Sequence, residues 1–166
     1  GRGPVAHLHE RECSLQRRNQ KIVEVAPSPT LPADVKQRIV DAALAMARSA
    51  DYRSLGTFEF LVDADDPATF AFMEANPRLQ VEHTVTERRL TKRLLTTLGL
   101  ADAVPEPRGF AVQVRINTEQ MKADGSTLPK GGTLAAFEPP TGAGLRTDTH
   151  GYAGYAPPPA FDSLLA

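Results

Sequence analysis

Across residues 74–82 every second position carries a strong polar group: Glu74, Asn76, Arg78, Gln80 and Glu82, with Ala75, Pro77, Leu79 and Val81 between them. Residues two apart share a face only in an extended backbone. The spacing therefore predicts a strand-like segment presenting carboxylate, amide, guanidinium, amide and carboxylate in one row. None of the five is a strong strand former, and a face that needed only solvation would more often use Thr, Lys or Ser. Two readings follow: an ordinary half-exposed strand, or the lining of a polar site.

Length and charge narrow the choice. A chain of 166 residues with a formal net charge of −1 is long enough to bury a core. It lacks the field that draws proteins to nucleic acid or anionic membranes, so neither is expected as a partner. No apolar run approaches the length of a membrane span. The single Cys13 forms no internal disulfide, which fits a reducing, cytoplasmic location, and it reads as a small apolar residue rather than a nucleophile. The chain opens without Met and stops inside the apolar run 161–166, which suggests a piece of a longer polypeptide.

Along the chain, residues 5–9 and 22–25 read as two strands of a hairpin, with the polar stretch 10–21 between them. Pro27, Pro29 and Pro32 then break the backbone. Val35, Ile39, Ala42, Ala43, Met46 and Ala50 recur at helical spacing over 33–50, and Asp34 in the first turn favours the helix dipole. Residues 57–62 and 68–74 read as antiparallel strands joined by the turn-like Asp63-Ala64-Asp65-Asp66-Pro67.

Strict alternation puts Thr57, Glu59 and Leu61 on one face and Phe58, Phe60 and Val62 on the other. It also gives Phe70, Phe72, Glu74 and Asn76 a common face. A lone glutamate in so apolar a strand as TFEFLV is costly unless exposed, paired or bound to a cation. Two carboxylates, Glu59 and Glu74, with the Asn76 amide would make a hard oxygen site suited to Mg²⁺ or Mn²⁺ and phosphate. The alternative is that Glu59 lies on a solvated face.

The rest carries weaker signals. Arg88, Arg89, Lys92 and Arg93 crowd a leucine-bearing segment that reads as a solvated helix face ending near Gly99. Pro105 and Pro107 mark a boundary. Residues 110–117 alternate as a strand with Arg115 on its polar side, and short β-type runs at 133–137 and around Leu145 predict a small β-rich domain. His7 and His9 lack partners to complete a metal set. The glycine-rich 141–146 lacks the spacing of a phosphate loop and reads as a turn. Arg17, Arg18 and Lys21 would suit either an anion or a solvated edge.

Four stretches together resemble a known family. Glu10-Arg-Glu-Cys-Ser-Leu-Gln-Arg-Arg-Asn-Gln-Lys21, Gly56-Thr-Phe-Glu-Phe-Leu61, Glu74-Ala-Asn-Pro-Arg-Leu-Gln-Val-Glu-His83 and Arg115-Ile-Asn117 are similar to the biotin carboxylase component of biotin-dependent carboxylases. Residues 131–166, with Gly151-Tyr-Ala-Gly-Tyr155, are similar to that family's C-terminal β domain, and their wording is nearest the acyl-CoA carboxylase branch. The implied fold class is α+β. Residues 1–104 would form the C-terminal part of an ATP-grasp domain, an antiparallel sheet with helices, and residues 105–166 the start of the β-rich domain.

The resemblance also implies roles. Glu59 and Glu74 would be metal ligands, with Asn76 at the site's edge. Gln16, Asn19, Lys21, Leu61, Glu59 and Glu74 would contact ATP. Arg78, Gln80 and the backbone of Val81 would hold bicarbonate, and Glu82 would act as general base. Arg115 would stabilise the biotin enolate oxygen. Mg²⁺ or Mn²⁺ would be the cofactor, with ATP and carrier-bound biotin as substrates. Partners would be a biotin carboxyl carrier domain and a carboxyltransferase, in an oligomer of the parent enzyme. The implied activity is an ATP-dependent ligase, with the isolated chain inactive because the family's glycine-rich lid has no counterpart here. Another ATP-grasp carboxylate–amine ligase and a non-catalytic scaffold are the alternatives. Residues 88–100 depart from the family pattern.

Overall fold

The computed structural model describes residues 5–17, 20–90, 107–158, 160 and 163–166. It divides into two units, Gly1–Gln113 and Val114–Ala166. Arg18, Asn19 and residues 91–106, with Lys92, Arg93, Gly99 and Pro105 among them, lie outside the described residues.

The first unit begins with a hairpin that forms later than the sequence suggests. Strand β1 is Glu12–Arg17 and pairs antiparallel with β2, Gln20–Ala26, while residues 5–10 form no strand. The polar stretch is itself the strand because its charges have partners. Glu10 accepts the Ser28 backbone N–H at 3.0 Å, and Glu12 accepts the Ser28 hydroxyl at 2.5 Å and that of Thr30 at 2.9 Å. These bonds tie β1 to the proline-rich segment that leads into helix α1.

Helix α1 spans Ala33–Ser49, with Asp34 in its first turn and Arg48 in its last, both favourable to the dipole. Val35 and Ala47 are its buried residues; Ala50 lies beyond it and is exposed. Its end is a Schellman motif. Asp51 takes a left-handed φ of 47°, its N–H bonds Arg48 O at 3.1 Å, and the Tyr52 N–H bonds Ala47 O at 3.0 Å.

Strands β3, Thr57–Val62, and β4, Phe70–Asn76, form the second hairpin. Asp63 shapes its turn by accepting the backbone N–H groups of Asp65 and Asp66, which hold its carboxyl below the ordinary aspartate range. The register corrects the expected faces. Glu59 pairs with Glu74 but Phe60 pairs with Phe72, so Met73 is an extra residue, a bulge. One inserted residue reverses the parity of the strand. Phe70 and Phe72 therefore join Phe60, with ring centroids 5.9 Å apart in both pairs, and leave Glu74 and Asn76 opposite Glu59 and Thr57. Arg38 of α1 lies over the Phe70 ring at 5.0 Å and so covers the aromatic side.

After β4 the extended row ends. The Arg78 N–H bonds Asn76 O at 2.8 Å across Pro77, a tight turn at the residue whose φ is fixed. Helix α2, His83–Leu90, starts directly afterwards. Within it Arg88 is exposed but Arg89 is buried, so the basic run is not uniformly a solvated face. Strand β5, Ala111–Val114, joins the first sheet in the order β1-β2-β5. Its Gln113 accepts a hydrogen bond from Thr84 of α2 at 3.0 Å.

The second unit is built on strands β6, Glu119–Met121, and β7, Thr127–Pro129. Its C-terminal residues return to Asn117 through a bridge with Leu164. Gly151 sits against Phe137 and Leu165, where a Cβ would lie 3.2 and 3.3 Å from their side chains. The β-type runs at 133–137 and around Leu145 form no strands; Leu134 instead makes backbone bonds to Gly154 and Tyr155. The class is α+β, with β1–β2, β3–β4 and β6–β7 all paired antiparallel.

Candidate functional site

Buried polar groups locate the site in the first unit. Glu24 and Glu82 are each 3% exposed and Gln80 is 8% exposed, and burying such groups is costly unless they are bonded. The bonds converge on one oxygen. Glu59 Oε1 accepts from Lys21 Nζ at 2.6 Å, Gln80 Nε2 at 3.0 Å and Asn76 Nδ2 at 3.2 Å. The Asn76 amide also donates to Glu74 Oε1 at 2.8 Å. The bulge at Met73 sets the two carboxylates across from each other, and the turn at Pro77 brings Gln80 back to them.

These contacts shift the titration of the groups at the centre. Burial alone would raise Glu59, but the hydrogen bonds from Lys21 and Gln80 and the charges of Lys21 and Arg11 outweigh it and hold its pKa low. Burial pulls the Lys21 ammonium down, and its bond to Glu59, with Cys13, Glu59 and Glu82 nearby, more than offsets that, so its pKa is raised. Burial raises the Cys13 thiol, so it stays protonated near neutral pH and is a poor nucleophile.

The expected row is therefore gathered in part. Lys21, Glu59, Glu74, Asn76 and Gln80 meet, and Glu82 is buried in the turn before α2 with its charge felt at Lys21. Arg78 is exposed and donates to the neighbouring Leu79 carbonyl at 3.4 Å. Val81 and Leu61 are exposed. Gln16 is exposed and bonds the Cys13 carbonyl on its own strand. Arg115 belongs to the second unit and is half-buried there. Asn19 lies outside the described residues.

Three participants were missed. Arg11 faces Glu24 Oε2 at 3.3 Å and donates to Gln80 Oε1 at 3.3 Å and Thr86 Oγ1 at 3.1 Å. Glu24 also lies 3.9 Å from Lys21. A usable signal existed for Glu24, a lone carboxylate inside the apolar run IVEV, by the argument that singled out Glu59. For Arg11 and Thr86 the sequence carries no comparable sign.

The donor set suits a hard divalent cation. One amide nitrogen, Asn76 Nδ2, bonds both Glu59 and Glu74, so a single centre can serve both carboxylates. Turned over, the amide would offer its oxygen. Four carboxylates (Glu24, Glu59, Glu74 and Glu82) outnumber two basic side chains (Arg11 and Lys21), a formal excess that a cation would balance. Mg²⁺ commonly takes one or two protein carboxylates and leaves its other positions to phosphate and water.

Nearly the whole chain is similar to known proteins. Residues 1–96 match the family model described as the carbamoyl-phosphate synthase L chain, ATP binding domain, and residues 113–166 match the biotin carboxylase C-terminal domain. The chain is 43% identical to a pyruvate carboxylase of Aspergillus niger over 98% of its own length and 14% of the relative's. It is 42% identical to a biotin carboxylase of Nostoc sp. over 98% of its own length and 38% of the relative's. A solved biotin carboxylase domain of a single-chain bacterial carboxylase superposes with a TM-score of 0.84 at 42% identity, covering 99% of this chain and 39% of that one. The chain thus spans well under half the length of these relatives.

Proposed function

We propose, for a chain that belongs to the family of the carbamoyl-phosphate synthase L chain ATP-binding domain, that it forms the metal- and bicarbonate-handling part of a biotin carboxylase. The reaction is the MgATP-dependent carboxylation of biotin on a carrier domain. The observation that carries this reading is the convergence of Lys21, Asn76 and Gln80 on Glu59, with Glu74 opposite and Glu82 buried alongside.

Glu59 and Glu74, with Asn76 at the edge, hold Mg²⁺ or Mn²⁺, which when bound neutralises the ATP phosphates during transfer. Lys21 lies beside those carboxylates and places an ammonium near the phosphates; Gln16, Asn19 and Leu61 complete the nucleotide contacts. Arg78 swings in to grip the planar bicarbonate with its guanidinium fork, and Gln80 and the Val81 backbone close the cradle. Glu82 takes the bicarbonate proton as a bicarbonate oxygen attacks the γ-phosphorus and the bond to ADP breaks. The resulting carboxyphosphate breaks into CO₂ and phosphate. That phosphate removes the biotin N–H proton, the nitrogen attacks CO₂, and Arg115 stabilises the enolate-like ureido oxygen.

A carrier domain and a carboxyltransferase are the implied partners, in an oligomeric parent enzyme. The acyl-CoA branch is our finer assignment, supported only by the wording of residues 131–166. Carboxylation of an acyl-CoA, against carboxylation of pyruvate, separates it from the pyruvate carboxylase reading that the Aspergillus niger relative favours.

The test is ATP cleavage with and without bicarbonate and biotin, by the complete polypeptide that carries this chain and by the chain alone. We expect cleavage that needs both substrates in the complete polypeptide and none in the chain alone. Cleavage driven by an amine instead of bicarbonate would establish the carboxylate–amine ligase reading. Calorimetry showing no MgATP binding to the complete polypeptide would establish a scaffold.

A further inference from the structure

Among the described residues of the polar cluster, Arg11 is a basic side chain that the proposed reaction leaves without a part. Its guanidinium reaches three elements at once: Glu24 on β2 at 3.3 Å, the Thr86 hydroxyl on α2 at 3.1 Å, and Gln80 Oε1 on the connecting turn at 3.3 Å. Resting on the biotin carboxylase reading, we propose that Arg11, backed by Glu24, is a positioning residue that fixes which end of the Gln80 amide faces the site.

The argument is one of donors and acceptors. The two ends of a glutamine amide are nearly equal in shape, and their partners decide which way they point. A guanidinium only donates, so the end of Gln80 that meets Arg11 must be the oxygen. That leaves Nε2 to donate to Glu59 Oε1 at 3.0 Å. Reversed, the amide would set its oxygen against the Glu59 carboxylate. Glu24, only 3% exposed, supplies the counter-charge that keeps Arg11 in place. Thr86 gives the guanidinium a second anchor, so its plane is fixed as well as its position. The bicarbonate cradle assigned to Gln80 then inherits its donor polarity from a residue that touches no substrate.

Two measurements test this. In the complete polypeptide, Arg11→Met should lower kcat for bicarbonate-dependent ATP cleavage by about 10- to 100-fold while leaving KM for ATP within about threefold, the pattern of a lost supporting contact. Arg11→Lys should recover little of it, because one ammonium nitrogen cannot reach acceptors spread around the guanidinium fork on three elements. In the chain itself, side-chain amide NMR should show the Gln80 NH₂ exchanging slowly with solvent, and Arg11→Met should bring it to the rate of the exposed Gln120. If Arg11→Met does not fold, Thr86→Val removes one anchor only, and an intermediate exchange rate is expected. A wild-type kcat in the Met variant, or an unchanged Gln80 exchange rate in Arg11→Met or Thr86→Val, would overturn the proposal. A wild-type enzyme with no bicarbonate dependence would instead sink the functional reading, and the NMR arm would still decide the role of Arg11.

Discussion

The hairpins β1–β2 and β3–β4 each bury one carboxylate inside an apolar strand, and they hold it in opposite ways. Glu59 collects three N–H donors on a single oxygen, two of them from uncharged amides. Glu24 stands between two cations, Arg11 and Lys21, at 3.3 and 3.9 Å. The Asn76 amide can turn over to offer its oxygen, so that partner of Glu59 can be exchanged for a cation and its ligands while Arg11 holds Gln80 as a donor. A carboxylate fixed between two cations is a counter-charge and has nothing to exchange. One carboxylate is arranged for chemistry, the other for holding the cations that serve it.

Paired neutral substitutions attack that contrast most directly. Glu59→Gln should cut bicarbonate-dependent ATP cleavage in the complete polypeptide by about 10³-fold, the scale of a lost electrostatic element, at a stability cost of only about 1 kcal/mol. Glu24→Gln should do the reverse. It leaves two cations underbalanced and should cost about 3 kcal/mol in urea unfolding, with a smaller loss of turnover. Equal effects of the two changes on turnover and stability would erase the distinction.

The bulge offers the next largest effect. Inserting one alanine between Glu59 and Phe60 would give Met73 a partner and restore strict alternation, so Glu59 and Glu74 would turn toward the face of Phe60 and Phe72. Burying those carboxylates among rings should cost about 2–4 kcal/mol, and the stabilisation of the chain by added Mg²⁺ should vanish. Mg²⁺ stabilisation that survives the insertion would mean that this pair of carboxylates takes no part in the cation site.

This bulge also marks where the sequence stopped being legible. Helix α1 and strand β3 were readable because their apolar residues repeat at periods of 3.6 and 2. The residue types of the site were readable too, since Glu59 in TFEFLV breaks its own pattern. What alternation could not reveal was Met73, because an inserted residue leaves no mark in the composition of β4. Strand β1 was hidden for a different reason: it is mostly polar, with Glu12 bonding Ser28 and Thr30, so it has no apolar period to detect. Of the row 74–82, Glu74, Asn76 and Gln80 meet through shared hydrogen bonds, and the extended geometry expected for it fails. Pro77 bends it, and Gln80 reaches Glu59 by a return of the chain rather than by continued extension.

A pH titration sharpens the comparison from the acid side. Glu59 has a lowered pKa in the fold, so its contribution is present above the unfolded-state value and is lost as pH falls through the folded one. Lys21 has a raised pKa, so its contribution is complete below the ordinary lysine range and is lost as pH climbs through the folded value. The pair should therefore stabilise the chain across the neutral range, with a loss at each end. Urea midpoints measured against pH should show the acid limb flattened in Glu59→Gln. An unchanged acid limb in that variant would assign acid sensitivity to other carboxylates.

The smallest effect concerns how β3 is aimed. The Schellman end of α1 delivers Tyr52, whose hydroxyl donates to Leu55 O at 2.6 Å just before the strand begins. The entry to β1 is held differently, by the carboxylates of Glu10 and Glu12. A Cβ on Gly56 would lie 2.7 Å from that hydroxyl and 3.0 Å from the ring carbon bearing it. Gly56→Ala must therefore displace the tyrosine and break its bond, at a cost of about 1 kcal/mol. Tyr52→Phe loses the same bond without the clash and should cost no more. Because both act on one contact, the double variant should fall short of their sum, as a shift in the urea midpoint would record. Strict additivity would show that the ring and the glycine act independently, and that β3, like β2, is aimed by its carboxylate's partners alone.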